Sequence, residues 1–238
     1  MTEIRSLAAT GELREFHLRN AYEGKLKADP YSNVHCRRFA MTLKAIATHW
    51  PFPPGEEALI LNLGGRHWFD ELLEEHFDAR IITTDFDLRY PWSFPTKFKL
   101  ILCMEVLEHI GPANETDPEK AGLYDDACRQ TLLSEIRTHL EPGVGRCLLT
   151  TPNCASWEGL RRWLGRENPH MYDGHVRELA YLEALRSARR AGLEVIEADT
   201  WECYYSCAPH IAKMVSTLDG GWHHHRGDTT YCCLKSSQ

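Results

Sequence analysis

FKLILCMEVLEHI, residues 98–110, is the stretch on which the fold turns. Its first seven residues form a short apolar run, suited to a strand buried on both faces. Its last six bring two carboxylates and an imidazole to the place where that run stops. Working outward, the same alternation recurs on both sides. Upstream lie the apolar run ALILNL (58–63), the helically spaced WFDELLEEHF (68–77) and the apolar RIITTD (80–85). Downstream, a helix is expected from about Glu105 and another around Asp125–Leu140, after which PGVG turns into the strand RCLLTTPN (146–153). Short apolar runs alternating with helices predict βαβ units and a mostly parallel sheet. LEVIEADTWECYY (193–205) and DTTYCCLKS (228–236) read as two later strands, separated by a polar stretch containing Gly and His, which predicts a late antiparallel pair. Residues 1 to about 50 read as helix, with Ser32 or Asn33 capping a segment in which Phe39, Leu43, Ile46, Ala47 and Trp50 share a face. PFPPGEE (51–57) breaks that helix, so the chain divides into a helical N-terminal cap, 1–55, and a main domain, 56–238.

Bulk properties narrow the function. The chain has 238 residues, 43% hydrophobic and 26% charged, as an ordinary globular protein has. No apolar run approaches the roughly 20 residues of a membrane span. The opening MTEIRSLAATGELREF carries charges where an export signal has its apolar stretch, so a cytoplasmic protein is expected. A net charge of −7 weighs against broad binding to nucleic-acid backbones. The nine cysteines include no CxxC pair, and several sit inside apolar runs as small hydrophobes, so reduced thiols without zinc are expected.

An open parallel sheet takes its ligand at the carboxyl ends of its strands, near the switch in strand order. Gly64 and Gly65 follow the first strand, where glycine lets a backbone approach a ligand and the next helix N-terminus favours negative charge. Asp85 follows the second strand, about 20 residues on, where a carboxylate can accept hydrogen bonds from ribose hydroxyls. A nicotinamide enzyme would carry the same two features.

Residues 98–110 together with HLEPGVGRCLLTTPN (139–153) separate the two cases. They resemble the fourth and fifth strand regions of class I S-adenosylmethionine-dependent methyltransferases, which read like FDLVLCxEVLEH and LKPGGxLLLTTPN. NPHMYDGHVREL (168–179) is similar to a stretch found in bacterial members of the type 11 and type 23 groups. The resemblance covers roughly residues 58–200 and implies a Rossmann-like class I methyltransferase sheet. It implies that Gly64 and Gly65 hold the methionine moiety of S-adenosylmethionine, that Asp85 holds the ribose, and that Met104 and Glu105 flank adenosine and the transfer centre. Two departures stand out. The family loop is DxGxGxG-like, whereas here Asn62 replaces the acid, and Arg66 and Trp68 stand where later glycines would be. Little chain separates Asp85 from Phe98, so the family's third strand and its helix are trimmed. Asp87 is then a candidate for the adenine contact, or for the ribose in place of Asp85.

Glu105, Glu108 and His109 fall at i, i+3 and i+4, and on a helix they would share a face. Such a set suits a divalent cation, Mg2+ or another. It resembles the metal motifs of ubiquinone-pathway O-methyltransferases and of small-RNA 3′-terminal 2′-O-methyltransferases, with His175 as a fourth ligand. The competing reading is an ordinary helix start whose carboxylates the helix dipole favours. His109, His170 and His175 are candidate general bases. Arg177 is a candidate partner for an acidic substrate group or for Glu178. Trp157, Trp163 and Trp222 read as packing residues and His223–His225 as a polar loop; Tyr22, Tyr31 and His35 are candidate lid residues of the cap, whose competing and favoured use is plain packing against the sheet. The expected activity is O-methylation of a sugar or other small-molecule acceptor. A metal-assisted RNA 3′-end methyltransferase and a binding protein that has lost catalysis are the alternatives.

Overall fold

The structure, a computed structural model, describes residues 2–111, 126–167, 172, 175–204 and 225–237. The chain opens with four helices, α1 (Glu3–Ala9), α2 (Glu15–Ala21), α3 (Glu23–Ala28) and α4 (Pro30–Thr48). Helix α4 starts earlier than Ser32 or Asn33 suggests. Asp29 is its cap, its carboxylate accepting from the Tyr31 and Ser32 amides, and Pro30 occupies the first turn, where a missing N–H costs nothing. There follow β1 (Ala58–Asn62), α5 (Trp68–Phe77), β2 (Ala79–Thr83), β3 (Leu100–Met104), α6 (Ala127–His139), β4 (Arg146–Pro152), α7 (Trp157–Leu164), α8 (Tyr181–Arg190), β5 (Leu193–Trp201) and β6 (Thr229–Ser236).

Among the described residues the strands form one sheet in the order β2-β1-β3-β4-β6-β5. The first four strands of that order are parallel, and β6 runs antiparallel to both of its neighbours. The order reverses between β1 and β3, so the ligand crevice lies at the carboxyl ends of these two strands. No strand forms between β2 and β3. Instead Phe86, Trp92 and Phe94 pack together, Trp92 stacks on His139 at 4.2 Å, and the His139 Nε2 accepts from the Phe94 amide at 3.1 Å. An aromatic plug therefore fills the space of the trimmed segment.

Alternation in the strands builds two cores. Leu100, Leu102 and Met104 of β3 join one core with α4, α5 and the other cap helices, while Ile101 and Cys103 join a second with α6 and α8. Each buried Leu or Ile contributes about 1.5–3 kcal/mol, which is why β3 tolerates no polar residue until its end. Cys103, Cys147, Cys232 and Cys233 are buried free thiols that fill this sheet. Among the described residues no helix is long and apolar enough to cross a membrane.

The helix expected from Glu105 does not begin there. Glu105 takes φ 54°, a left-handed conformation costly for a side-chain-bearing residue, and its amide donates to the Thr150 carbonyl at 2.9 Å. Only a single 3-10 turn, Leu107–His109, follows in the described residues, so Glu105 does not share a helical face with Glu108 and His109. The strand-end turn wins because the β3–β4 ladder still engages the Glu105 backbone.

Candidate active site

The glycine loop after β1 is held by a side chain that the family's pattern lacks. Asn62 is fully buried. Its Nδ2 donates to Asp70 Oδ1 at 2.7 Å and to the Gly65 carbonyl at 3.1 Å, and its Oδ1 accepts from the Gly64 amide at 3.1 Å. Asp70, in the first turn of α5, also accepts from the His67 amide at 2.8 Å. Burial pushes the Asp70 carboxyl above its ordinary range. A carboxylate thus serves this loop from the helix rather than from the strand. A Cβ on Gly64 would lie 3.3 Å from the Met104 carbonyl, a tight contact, and Gly65 takes φ 76°, a left-handed conformation that favours glycine. Met104 is buried beneath the loop. Asp85 is exposed beyond β2, whereas Asp87 is clamped by Arg89, whose Nε lies 2.8 Å from Oδ1. That guanidinium holds the Asp87 carboxyl below the usual range.

A cavity of about 810 Å³ opens at the strand ends, and Tyr31, His35, Glu105, Glu108, His109, His175 and Tyr204 are among its walls. Glu108 is fully buried, its Oε2 accepting from the Thr151 hydroxyl at 3.0 Å. Its Oε1 has no hydrogen-bond partner among the described residues, but lies 3.9 Å from His175 Nε2 and 4.0 Å from His109 Nε2. Burial, then the charge of Glu105, pushes the Glu108 carboxyl well above its normal range. The two imidazoles meet edge to face at 4.8 Å. Glu178 is buried behind His175 and lies 2.6 Å from its Nδ1. The Glu108 carbonyl accepts from the Val176 and Arg177 amides, which ties the His175 segment to the 3-10 turn. One carboxylate and two imidazoles, Glu108, His109 and His175, therefore converge as a donor set that fits a cation.

Glu105 points elsewhere. Its Oε1 is buried without a hydrogen bond and lies 3.9 Å from Nη1 of Arg38, a guanidinium buried in α4. The Arg38 Nε donates to His35 Nδ1 at 3.2 Å, and Tyr204 Oη meets the same ring nitrogen. These donors leave Nδ1 as the acceptor, so His35 is neutral. Burial, then the Arg38 charge, holds His35 at about 3 and His67 at about 4. Asp228 is buried at the start of β6 and accepts from the Cys203 and Tyr204 amides at 2.9 and 2.8 Å, which aims Tyr204 at α4.

Other expectations divide. Tyr31 and His35 line the cavity, but Tyr22 packs away from it against Trp68 and His76. Arg177 pairs with Glu183, and Glu178 faces His175. Trp163 is 66% exposed and so does not pack in the interior. His225 stacks on Tyr181 at 4.1 Å. His170, Trp222, His223 and His224 lie outside the described residues.

Comparison with known proteins adds the lineage. The family model for a methyltransferase domain of the type 23 group matches residues 14–198. Among solved structures, the N-methyltransferase NodS from Bradyrhizobium japonicum WM9 has a TM-score of 0.51 at 16% identity, covering 87% of this chain and 98% of its own. A SAM-dependent methyltransferase from Archaeoglobus fulgidus gives 0.51 at 13% identity, with 86% and 96% covered. The small RNA methyltransferase HEN1 gives 0.55 at 12% identity, with 84% of this chain but 25% of that one covered. Likeness at these identities establishes a shared fold. No curated protein matches the chain.

Proposed function

This chain belongs to the methyltransferase-domain family and is an S-adenosylmethionine-dependent class I methyltransferase; on that premise we propose that it methylates a hydroxyl of a sugar or other small metabolite, assisted by a divalent cation on Glu108, His109 and His175. The observation that carries this reading is the buried, unpartnered Glu108 Oε1 facing two imidazole nitrogens. A buried carboxylate without a partner costs several kcal/mol, and a bound cation removes that cost. The mixed oxygen and nitrogen set suits a manganese- or iron-type ion better than magnesium, which prefers oxygen alone. When bound, such an ion lowers the pKa of a coordinated hydroxyl.

The protein's own residues set the rest. Glu178 accepts from His175 Nδ1–H, which fixes the tautomer and turns the Nε2 lone pair toward Glu108. Thr151 holds Glu108 Oε2, leaving Oε1 directed at the two histidines. Gly64 and Gly65 leave room for the amino-acid end of S-adenosylmethionine, and Asp85 is exposed for the ribose hydroxyls while Asp87 is held by Arg89. Met104 and Glu105 border the adenosine side. In the transfer the acceptor oxygen bonds to the methyl carbon, the S–CH3 bond breaks with its electron pair going to sulfur, and the hydroxyl proton passes to solvent water.

A second reading rests on the 2.6 Å contact between His175 and Glu178, a dyad suited to general-base catalysis without a metal. An RNA 3′-end acceptor draws on the same residues, but the net charge of −7 weighs against it. The experiment pairs calorimetric titration of Mn2+ into chelator-treated protein with methyl transfer to a panel of sugars. One Mn2+ site, lost in His175→Ala and needed for turnover, supports the cation; full activity after thorough chelation leaves the dyad.

A further inference from the structure

The cavity at Glu108, His109 and His175 shares three of its wall residues, Glu15, Arg19 and Arg37, with a second hollow of about 580 Å³ between α2 and α4. Arg14, Arg19, Arg37 and Lys44 border this hollow, over a floor that includes Leu13, Ala40 and Met41. Four cations against one carboxylate, Glu15, is unusual in a chain of net charge −7. That carboxylate already pairs with Arg19 at 2.6 Å; Arg19 also donates to Asn33, and Arg14 donates to the Gly11 and Leu13 carbonyls, which leaves Arg37 and Lys44 as the open cations. Arg37 and Lys44 stand seven residues apart on α4, two turns along one face. Neither side chain has an acidic partner among the described residues. Burial and then the Arg14 charge lower the Lys44 ammonium, as expected where like charges stand uncompensated.

From this arrangement we infer that the groove between α2 and α4 is an anion site that receives the phosphate of a phosphorylated acceptor. The inference rests on the O-methyltransferase reading above and names the substrate class for it. Clustered cations on a concave, apolar-floored surface repel one another and draw in anions more strongly than the same charges on an open face. Guanidinium groups match phosphate oxygens in pairs, and several cations favour a dianionic phosphate over a carboxylate. The two hollows share Glu15, Arg19 and Arg37, so one molecule can place its phosphate in the groove and its hydroxyl at the histidines.

The test titrates inorganic pyrophosphate and, separately, S-adenosylhomocysteine into metal-free full-length protein by calorimetry. The wild type is compared with Arg37→Glu/Lys44→Glu and with the charge-keeping Arg37→Lys. Pyrophosphate is expected to bind the wild type, about tenfold or more weaker to the double variant, and near the wild-type affinity to Arg37→Lys. S-adenosylhomocysteine affinity and circular dichroism are expected to stay unchanged throughout. A chain that binds S-adenosylhomocysteine but not pyrophosphate overturns the groove while leaving the methyltransferase reading intact, as does equal pyrophosphate affinity in the double variant. A wild type that binds no S-adenosylhomocysteine overturns the cofactor reading and, with it, the assignment of the anion to an acceptor. Salt-sensitive binding of short single-stranded RNA with none of pyrophosphate also overturns it.

Discussion

Asn62→Asp restores the acid that the family's glycine loop carries, yet the structure indicates that it will damage the loop rather than repair it. The Asn62 Nδ2 is a donor to Asp70 Oδ1 at 2.7 Å and to the Gly65 carbonyl at 3.1 Å. An aspartate there replaces both donations with oxygen facing oxygen. Two unit charges at that separation repel by about 6 kcal/mol at an effective dielectric of about 20. The protein escapes the full penalty by taking up a proton, and protonating a carboxyl of ordinary pKa about 3.9 at pH 7 costs about 4 kcal/mol. That smaller figure sets the expected loss, and at roughly 2–4 °C per kcal/mol the melting temperature falls by about 8–16 °C. The sign with pH follows. The shared proton raises the folded-state pKa, so the folded variant binds more protons than the unfolded chain and its deficit shrinks on acidification, to about 1.5 kcal/mol at pH 5. Thermal melts of wild type and variant at pH 7 and pH 5, with calorimetry of S-adenosylhomocysteine, measure this. Asn62→Asp/Asp70→Asn exchanges the two groups and is expected to recover at least about half of the loss. A variant as stable as wild type at pH 7, or a deficit that does not shrink at pH 5, refutes the Asn62–Asp70 contact.

Glu108→Gln removes an acid whose ionised form is buried and repelled by Glu105, so metal-free protein is expected to be at least as stable as wild type in a thermal melt at about pH 8, while the stabilisation by Mn2+ expected of wild type disappears. A lower melting temperature, or an undiminished Mn2+ shift, contradicts the cation site. Gly64→Ala places a methyl group 3.3 Å from the Met104 carbonyl and is expected to weaken S-adenosylhomocysteine binding by about tenfold, read by calorimetry, with circular dichroism unchanged. In α7, Arg161 and Arg162 hold the Glu158 carboxyl at about 2. Because the folded pKa is depressed, its contribution is present above the unfolded value and fades as pH falls toward 2. Glu158→Gln is therefore expected to cost about 0.5 kcal/mol in urea melts at pH 7 and nothing at the acid end.

What the sequence disclosed follows from the range of each interaction. Strands β1, β3 and β4 were legible because both their faces are buried, and an unbroken apolar run has few other uses. The trimmed segment between β2 and β3 was legible as missing length, though not as the Phe86, Trp92 and Phe94 plug that replaces it. Glu108 and His109 were found as chemistry-bearing residues for a helical-face reason that fails, since Glu105 leaves the set through its left-handed backbone, and His175 was found only through the family resemblance. Backbone strain at one residue depends on the ladder around it and leaves no periodic trace. Glu178 stood three residues from His175 and was within reach of spacing arguments. Asp70 likewise stood at the third position of a helix opened by His67, where a capping carboxylate is ordinary. Arg38 did leave a signal, a charge on the buried side of α4 between Cys36 and Phe39, but its partner Glu105 lies 67 positions away, and no local pattern joins the two. Its neighbour in space, Tyr204, depends on Asp228 at the start of the adjacent strand. The residues that pattern reading missed are therefore those whose role is made by pairing two strand-end segments, and in an open parallel sheet those segments build the site. The same logic makes the groove between α2 and α4 invisible in the sequence: Arg14, Arg19, Arg37 and Lys44 are unremarkable surface residues until the two helices are laid side by side.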